Sequence, residues 1–219
     1  MPVATRIAQA QRVFFLRAAL RCAALQQHLP GFLMKHPPLQ LDLQLTDRYV
    51  DLIGERFDAA IRIGAHLLDS SLHACALGRV PRVLVAAPAY LRSAPPVCKP
   101  ADLALQNALV FAGTHTSSAW PFMVNGEAVD MVVHGRFRVD NSLMLREVLR
   151  GGLGVALTPH FVVDDLLASG ELLSLLPDCM PPPLVVHAVT TQRRQPLPRS
   201  QVFFDFLVRE FGGCGYGFG

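Results

Sequence analysis

Residues Leu39 to Thr46 read LQLDLQLT, apolar and polar in strict alternation. That pattern predicts a strand with one buried face. Upstream, Leu25, Leu29, Phe32 and Leu33 recur at helical spacing, interrupted by Pro30, which predicts a kinked helix. Downstream, Thr46 or Asp47 is placed to cap a helix carrying Val50, Ile53 and Phe57. DAAIRIG, residues 58–64, predicts a second strand, and 72–77 and 82–87 predict two more. Pro88 suits the first turn of a short helix with Tyr90 and Leu91.

A proline-rich link at 94–100 separates this series from a second one. Residues 108–112 predict a strand. Segments 120–124 and 128–133 flank Asn125-Gly126, a strong hairpin signal, and 136–139 predicts another strand. Asp140-Asn141-Ser142 caps a helix with Leu145, Val148 and Leu149 on one side, ended by Gly151-Gly152. Residues 155–157 predict a short strand. Thr158-Pro159 reads as a cap and first-turn proline for a helix running to Ser169-Gly170. A late strand is expected at 184–190. Ser200 caps a last helix with Phe203, Phe206, Leu207 and Phe211 inward, and the GGCGYGFG tail at 212–219 is expected to be disordered. Strands alternating with helices predict an α/β fold with mostly parallel sheets.

Composition narrows this picture. Of 219 residues, 51% are hydrophobic and 17% charged, so a sizeable core can be buried. The formal charge of +3 is too small for a histone-like nucleic-acid binder. No apolar run approaches the roughly 18 residues of a membrane helix. The 5 cysteines form no CxxC pair, and the odd number argues against a disulfide framework, which fits a reducing compartment. The first acidic residue is Asp42, after Arg6, Arg12, Arg17, Arg21 and Lys35. Such a start can mark a targeting peptide, but Arg17 and Arg21 break its apolar centre. Enzyme motifs are missing: there is no G-x-S-x-G, H-E-x-x-H, Walker loop or dinucleotide fingerprint. Gly151 to Gly154 follows a helix and precedes a strand, the wrong order for a phosphate loop. The 8 histidines lack metal-ligand spacing, so no metal or cofactor is expected.

Several segments, in order and at family spacing, resemble the effector-binding domain of LysR-type transcriptional regulators, in particular the CrgA-like subgroup. They are LDLQLTDRYVDLIGERFDAAIRIG (41–64), DSSLHACALGRVPRVLVAAPAYL (69–91) and KPADL (99–103). RVDNSLMLREVLRGGLGVALTPHFVVDDLLASGELLSLLPD (138–178), PPPLVVHAV (181–189) and FFDFLVREF (203–211) continue the series. The resemblance covers about 25–211. It implies two Rossmann-like subdomains joined by two crossover strands, like a type 2 periplasmic binding protein. Subdomain I would take about 12–84 and 188–211, and subdomain II about 85–187. Two departures stand out. Residues 1–24 are too short for the family's winged helix-turn-helix. The first strand, aligned with residues 12–17, lacks the expected Ser and Pro. A truncated or frame-shifted gene start would explain both.

Ligands of such folds lie beyond the carboxyl ends of the strands, where helix N-termini offer N–H groups to anions. Thr46, Asn141 with Ser142, and Thr158 mark three such termini. Each is either a simple cap or part of a ligand seat. Thr114 and Thr116 follow a strand at the same edge and either donate hydroxyls or form an ordinary loop. Arg62 faces the cleft by analogy, to pair with a carboxylate or with a local acid such as Asp58. His160 and Trp120 read as structural. The resemblance implies a cytoplasmic, effector-sensing regulatory domain, not an enzyme, working as a homo-oligomer in a parent that binds DNA through a separate helix-turn-helix. The alternatives are a solute-binding protein of transport and a truncated remnant.

Overall fold

The computed structural model describes residues 15–16, 23–45, 51–55, 57, 59–64, 73–112, 119–190, 202–203, 205–207 and 209. Its strands in chain order are β1 (Phe15–Leu16), β2 (Gln44–Leu45), β3 (Ala59–Gly64), β4 (His73–Val80), β5 (Arg82–Ala86) and β6 (Leu109–Phe111). They continue as β7 (Ala119–Val124), β8 (Glu127–Val132), β9 (Phe137–Val139), β10 (Val155–Pro159), β11 (Leu173–Leu175) and β12 (Leu184–Thr190). The helices are α1 (Ala23–Lys35), α2 (Pro88–Leu91), α3 (Ser142–Arg150) and α4 (Asp164–Ala168). The described residues among 202–209 are also helical and form the last helix.

The first sheet has the order β2-β1-β3-β12-β4. Strands β5, β10 and β11 form a second sheet in the order β10-β5-β11. A parallel bridge between Ala108 and Val155 brings β6, with its parallel partner β9, alongside β10. Each sheet therefore contains one strand from the other half of the chain: β12 lies between β3 and β4, and β5 lies between β10 and β11. These are the two crossovers.

Burial alternates as the pleat requires. In β5, Val83 and Val85 enter a core shared with Ile61, Leu77, Leu145 and Phe161. Leu84 and Ala86 face a second core with Leu103, Trp120 and Phe122. Both faces of the strand are covered, which is why RVLVA is a continuous apolar run. The first core also holds Phe32 from α1 and Phe203, Phe206 and Leu207 from the last helix, the inner side expected for it. Phe211, Ser200 and the tail lie outside the described residues.

Three sequence expectations need correction. The sheets are mixed, because β12 and β5 each run antiparallel to both neighbours. A crossover strand returns from the other half of the chain, and its direction is set by the connection rather than by local pattern. Next, the alternation at 39–46 is real, with Leu39, Leu41 and Leu43 half-buried against the core, but only Gln44 and Leu45 pair as strand. Among the described residues of 51–57 the expected helix gives way to a turn at 52–55, with Leu52 buried, Phe57 packed beside it and Ile53 64% exposed. Helix α1 runs through Pro30, from Ala23 to Lys35. The proline is exposed, so the amide it removes costs no buried hydrogen bond.

Candidate ligand-binding cleft

The registers define one meeting edge. Gly64 at the end of β3 pairs with Val185, and Val80 at the end of β4 pairs with Leu184. Two residues after Val80, β5 begins at Arg82, which pairs with Pro159 at the end of β10. Strand β11 also runs toward the start of β5, since Leu175 pairs with Leu84. The parallel strands β6 and β9 end on the same side as β10. The carboxyl ends of both sheets thus converge on the two crossovers, the position where α/β folds bind ligands. Arg82 ties the crossovers together, its Nε donating to the Pro182 carbonyl at 2.8 Å. Burial pushes its guanidinium pKa down.

At this edge β9 leads directly into α3. Asn141 is extended, and its Oδ1 accepts the Met144 amide at 2.9 Å. Ser142 is the first helical residue and is only 4% exposed, on the same buried face as Leu145, Arg146 and Leu149. The first turn of such a helix presents N–H groups and a partial positive charge. Arg146 holds α3 in place. Its guanidinium makes paired contacts with the Asp165 carboxylate, one at 2.6 Å, and donates to the Val162 carbonyl at 2.9 Å. The Arg146 guanidinium in turn lowers the Asp165 carboxyl pKa to about 2.

The strands leave their opposite edge from a shared knot around Asn107. Its Nδ2 donates to the Leu153 carbonyl at 2.7 Å, and its Oδ1 accepts the Arg136 amide at 3.2 Å. Its own amide donates to the Tyr90 hydroxyl oxygen at 2.9 Å. One side chain thereby sets the starts of β6, β9 and β10, and so fixes where their far ends lie.

Arg62 sits in β3, half-buried, directly opposite His187 of β12. His187 Nδ1 is buried without a hydrogen-bond partner, and burial pushes the imidazole pKa down. A register shift in the β12–β4 ladder lies between Val186 and His187. The capping role expected of Thr158 fails. It lies inside β10, opposite Val83 and 2% exposed, and caps no helix. The turn at His160–Val162 is 3-10 and α4 starts only at Asp164. Thr46, Thr114 and Thr116 lie outside the described residues. Arg82, Asn107, Arg146 and His187 escaped the sequence reading, because a lone Arg, Asn or His within an apolar stretch carries no motif. Among the described residues, no group of three or more His, Cys, Asp or Glu could hold a metal ion.

A family model described as the LysR substrate binding domain matches residues 18–212. The chain belongs to this family. The LysR domain here is 33% identical over 182 residues to the HTH-type transcriptional regulator PtxR of Pseudomonas aeruginosa, covering 83% of this chain and 58% of PtxR. It is 31% identical over 183 residues to the HTH-type transcriptional activator AaeR of Escherichia coli, covering 84% of this chain and 59% of AaeR. The chain therefore spans less than two thirds of these relatives. Among solved structures, the CrgA regulatory domain from Neisseria meningitidis superposes with a TM-score of 0.76 at 25% identity, over 93% of this chain and 98% of that one. The expected family, subgroup likeness and periplasmic-binding-protein-like fold all hold.

Proposed function

We propose that this LysR domain senses a small anionic or polar effector, bound between the two subdomains, and thereby controls transcription by a longer parent protein. The observation that carries this reading is the convergence of both sheets' carboxyl ends on two crossover strands. Ligand binding there changes the relative angle of the subdomains only if it favours one arrangement over the other. Arg62, Ser142 and the first turn of α3 are the seat for the acid group, with Asn141 holding that turn. Thr46, Thr114 and Thr116 are further candidates for this seat on the sequence alone. Subdomain I takes about 12–84 and 188–211, and subdomain II about 85–187. The relatives are transcriptional regulators, so the role proposed is binding without catalysis. The parent acts in the cytoplasm as a homo-oligomer and meets DNA through its own helix-turn-helix. Among the described residues no helix is long and apolar enough to cross a membrane.

A thermal-shift screen of small organic acids tests the reading. At least one acid should raise the melting temperature, as any ligand that binds only the folded state does. By calorimetry, Ser142→Ala should then weaken that acid by about 0.5–1.5 kcal/mol, the scale of one hydrogen bond. A stability loss with unchanged affinity would reduce Ser142 to a packing role.

A further inference from the structure

Helix α1 and the last helix lie against the same core but do not close over it completely. Between them a groove of about 520 Å³ remains, within the roughly 300–1,000 Å³ of small-molecule sites. His28, Gly31, Phe32 and Lys35 line it from α1, a single helical face by their spacing, and His36 lines it just beyond the helix. Its floor is rigid. Phe32 and Phe206 stack with centroids 4.4 Å apart, both nearly fully buried, and the His36 ring lies 4.7 Å from Phe32. The groove reaches the backbone of α1 at Gly31, where an added Cβ would meet nothing within 4 Å. Close packing therefore does not demand this glycine, and glycine is a poor helix former. Its effect is to keep the groove open.

The rim is polar and mostly cationic. Lys35 and Arg209 oppose a single carboxylate, Asp205, with the two imidazoles beside them. His28, Asp205 and Arg209 already engage partners. We propose that this groove binds a small hydroxyl-bearing organic anion. Lys35 and Arg209 hold its acid group, a hydroxyl donates to Asp205, and Phe32 and Phe206 form the floor. Charge-assisted contacts of this kind are the strong ones, and the paired cations admit either a phosphate or a carboxylate. The site is separate from the cleft and stands whether or not the cleft binds an effector. Phe32 and Phe206 share their core with Ile61 of β3 and with Val186 and Ala188 of crossover β12, so an occupant rests on the framework that carries the crossovers.

Calorimetry on the full chain at low ionic strength tests this with two probes, glycerol phosphate and citrate. One of them should bind saturably, and which one does separates phosphate from carboxylate recognition. Gly31→Leu fills the groove and Lys35→Gln removes a cation. Each should weaken the probe by about tenfold or more, while Ser142→Ala, which alters the cleft, leaves it unchanged. Gly31→Leu replaces a poor helix former with a good one, so its melting temperature should not fall. The proposal is overturned if neither probe saturates, if both variants bind like the parent protein, or if Ser142→Ala abolishes binding, which would place the probe in the cleft. It also fails if Lys35→Gln lowers the melting temperature with affinity intact. Lys35 would then only offset the negative end of α1.

Discussion

A methyl group added at Gly154 would lie 2.0 Å from the Asn107 carbonyl oxygen, and one at Gly135 would lie 1.7 Å from that of Ala108. These glycines exist for close approach, and Gly154 sits just before β10, where Val155 donates its amide to Asn107 at 3.0 Å. Backbone, unlike a flexible side chain, cannot yield cheaply. Gly154→Ala should therefore cost about 1–3 kcal/mol, the usual penalty of overpacking. A urea melt would show this as a lower midpoint with an unchanged slope. An unchanged midpoint would mean that the strand starts shift without cost. Neither glycine announces this role in the sequence, because the atom each avoids belongs to a residue distant along the chain.

At the scale of elements, the hairpin was legible in full. Asn125 and Gly126 both take positive φ, 52° and 84°, as the Asn-Gly signal requires. Thr158-Pro159 was misleading for a physical reason. A hydroxyl residue followed by proline is locally as good a helix start as a strand end. Pairing of Thr158 with Val83 decided between them, and that pairing is tertiary. Helix α3 was legible from its cap, but its anchor Arg146 was not. The Arg146–Asp165 contact makes α3 sensitive to acid. The folded Asp165 pKa, about 2, lies below the roughly 3.9 of an unfolded aspartate. The carboxylate therefore stabilises the fold above the unfolded pKa, and this stability is lost as pH falls toward about 2. Asp165 is 56% exposed, so solvent screens the contact and the effect is modest. Melting temperatures across this range should fall less steeply for Asp165→Asn than for the parent protein. Equal slopes would assign the acid sensitivity elsewhere.

At the scale of the whole molecule, the Arg82–Pro182 bond is the direct tie between the two crossover connections. Arg82→Met keeps much of the apolar stem and removes the donor. Without ligand, it should broaden the range of subdomain angles, read as a larger radius of gyration by small-angle scattering. Superimposable curves for the two proteins would show that packing alone sets the angle. A second expectation concerns DNA. Specific readout needs an element that reaches base edges in a groove, and no described element has the form of such a reader. The 219-residue chain alone should retard a candidate promoter fragment and an unrelated fragment equally, or not at all, in a mobility shift at physiological salt. Preference for the promoter would refute this.

The sequence by itself determined most of the element types, the buried faces of α3 and the last helix, and membership of the LysR domain family. These depend on residues near one another in the chain, where periodicity and capping act. Only the tertiary structure decided which strands cross between sheets, the antiparallel direction of β5 and β12, and the strand assignment of Thr158. It alone placed Arg82 and Arg146 at the cleft edge, Asn107 at the opposite edge where β6, β9 and β10 start, and His187 opposite Arg62. Each of those outcomes depends on a partner many residues away. A hydrogen bond or a register between distant segments leaves no periodic trace in either segment alone.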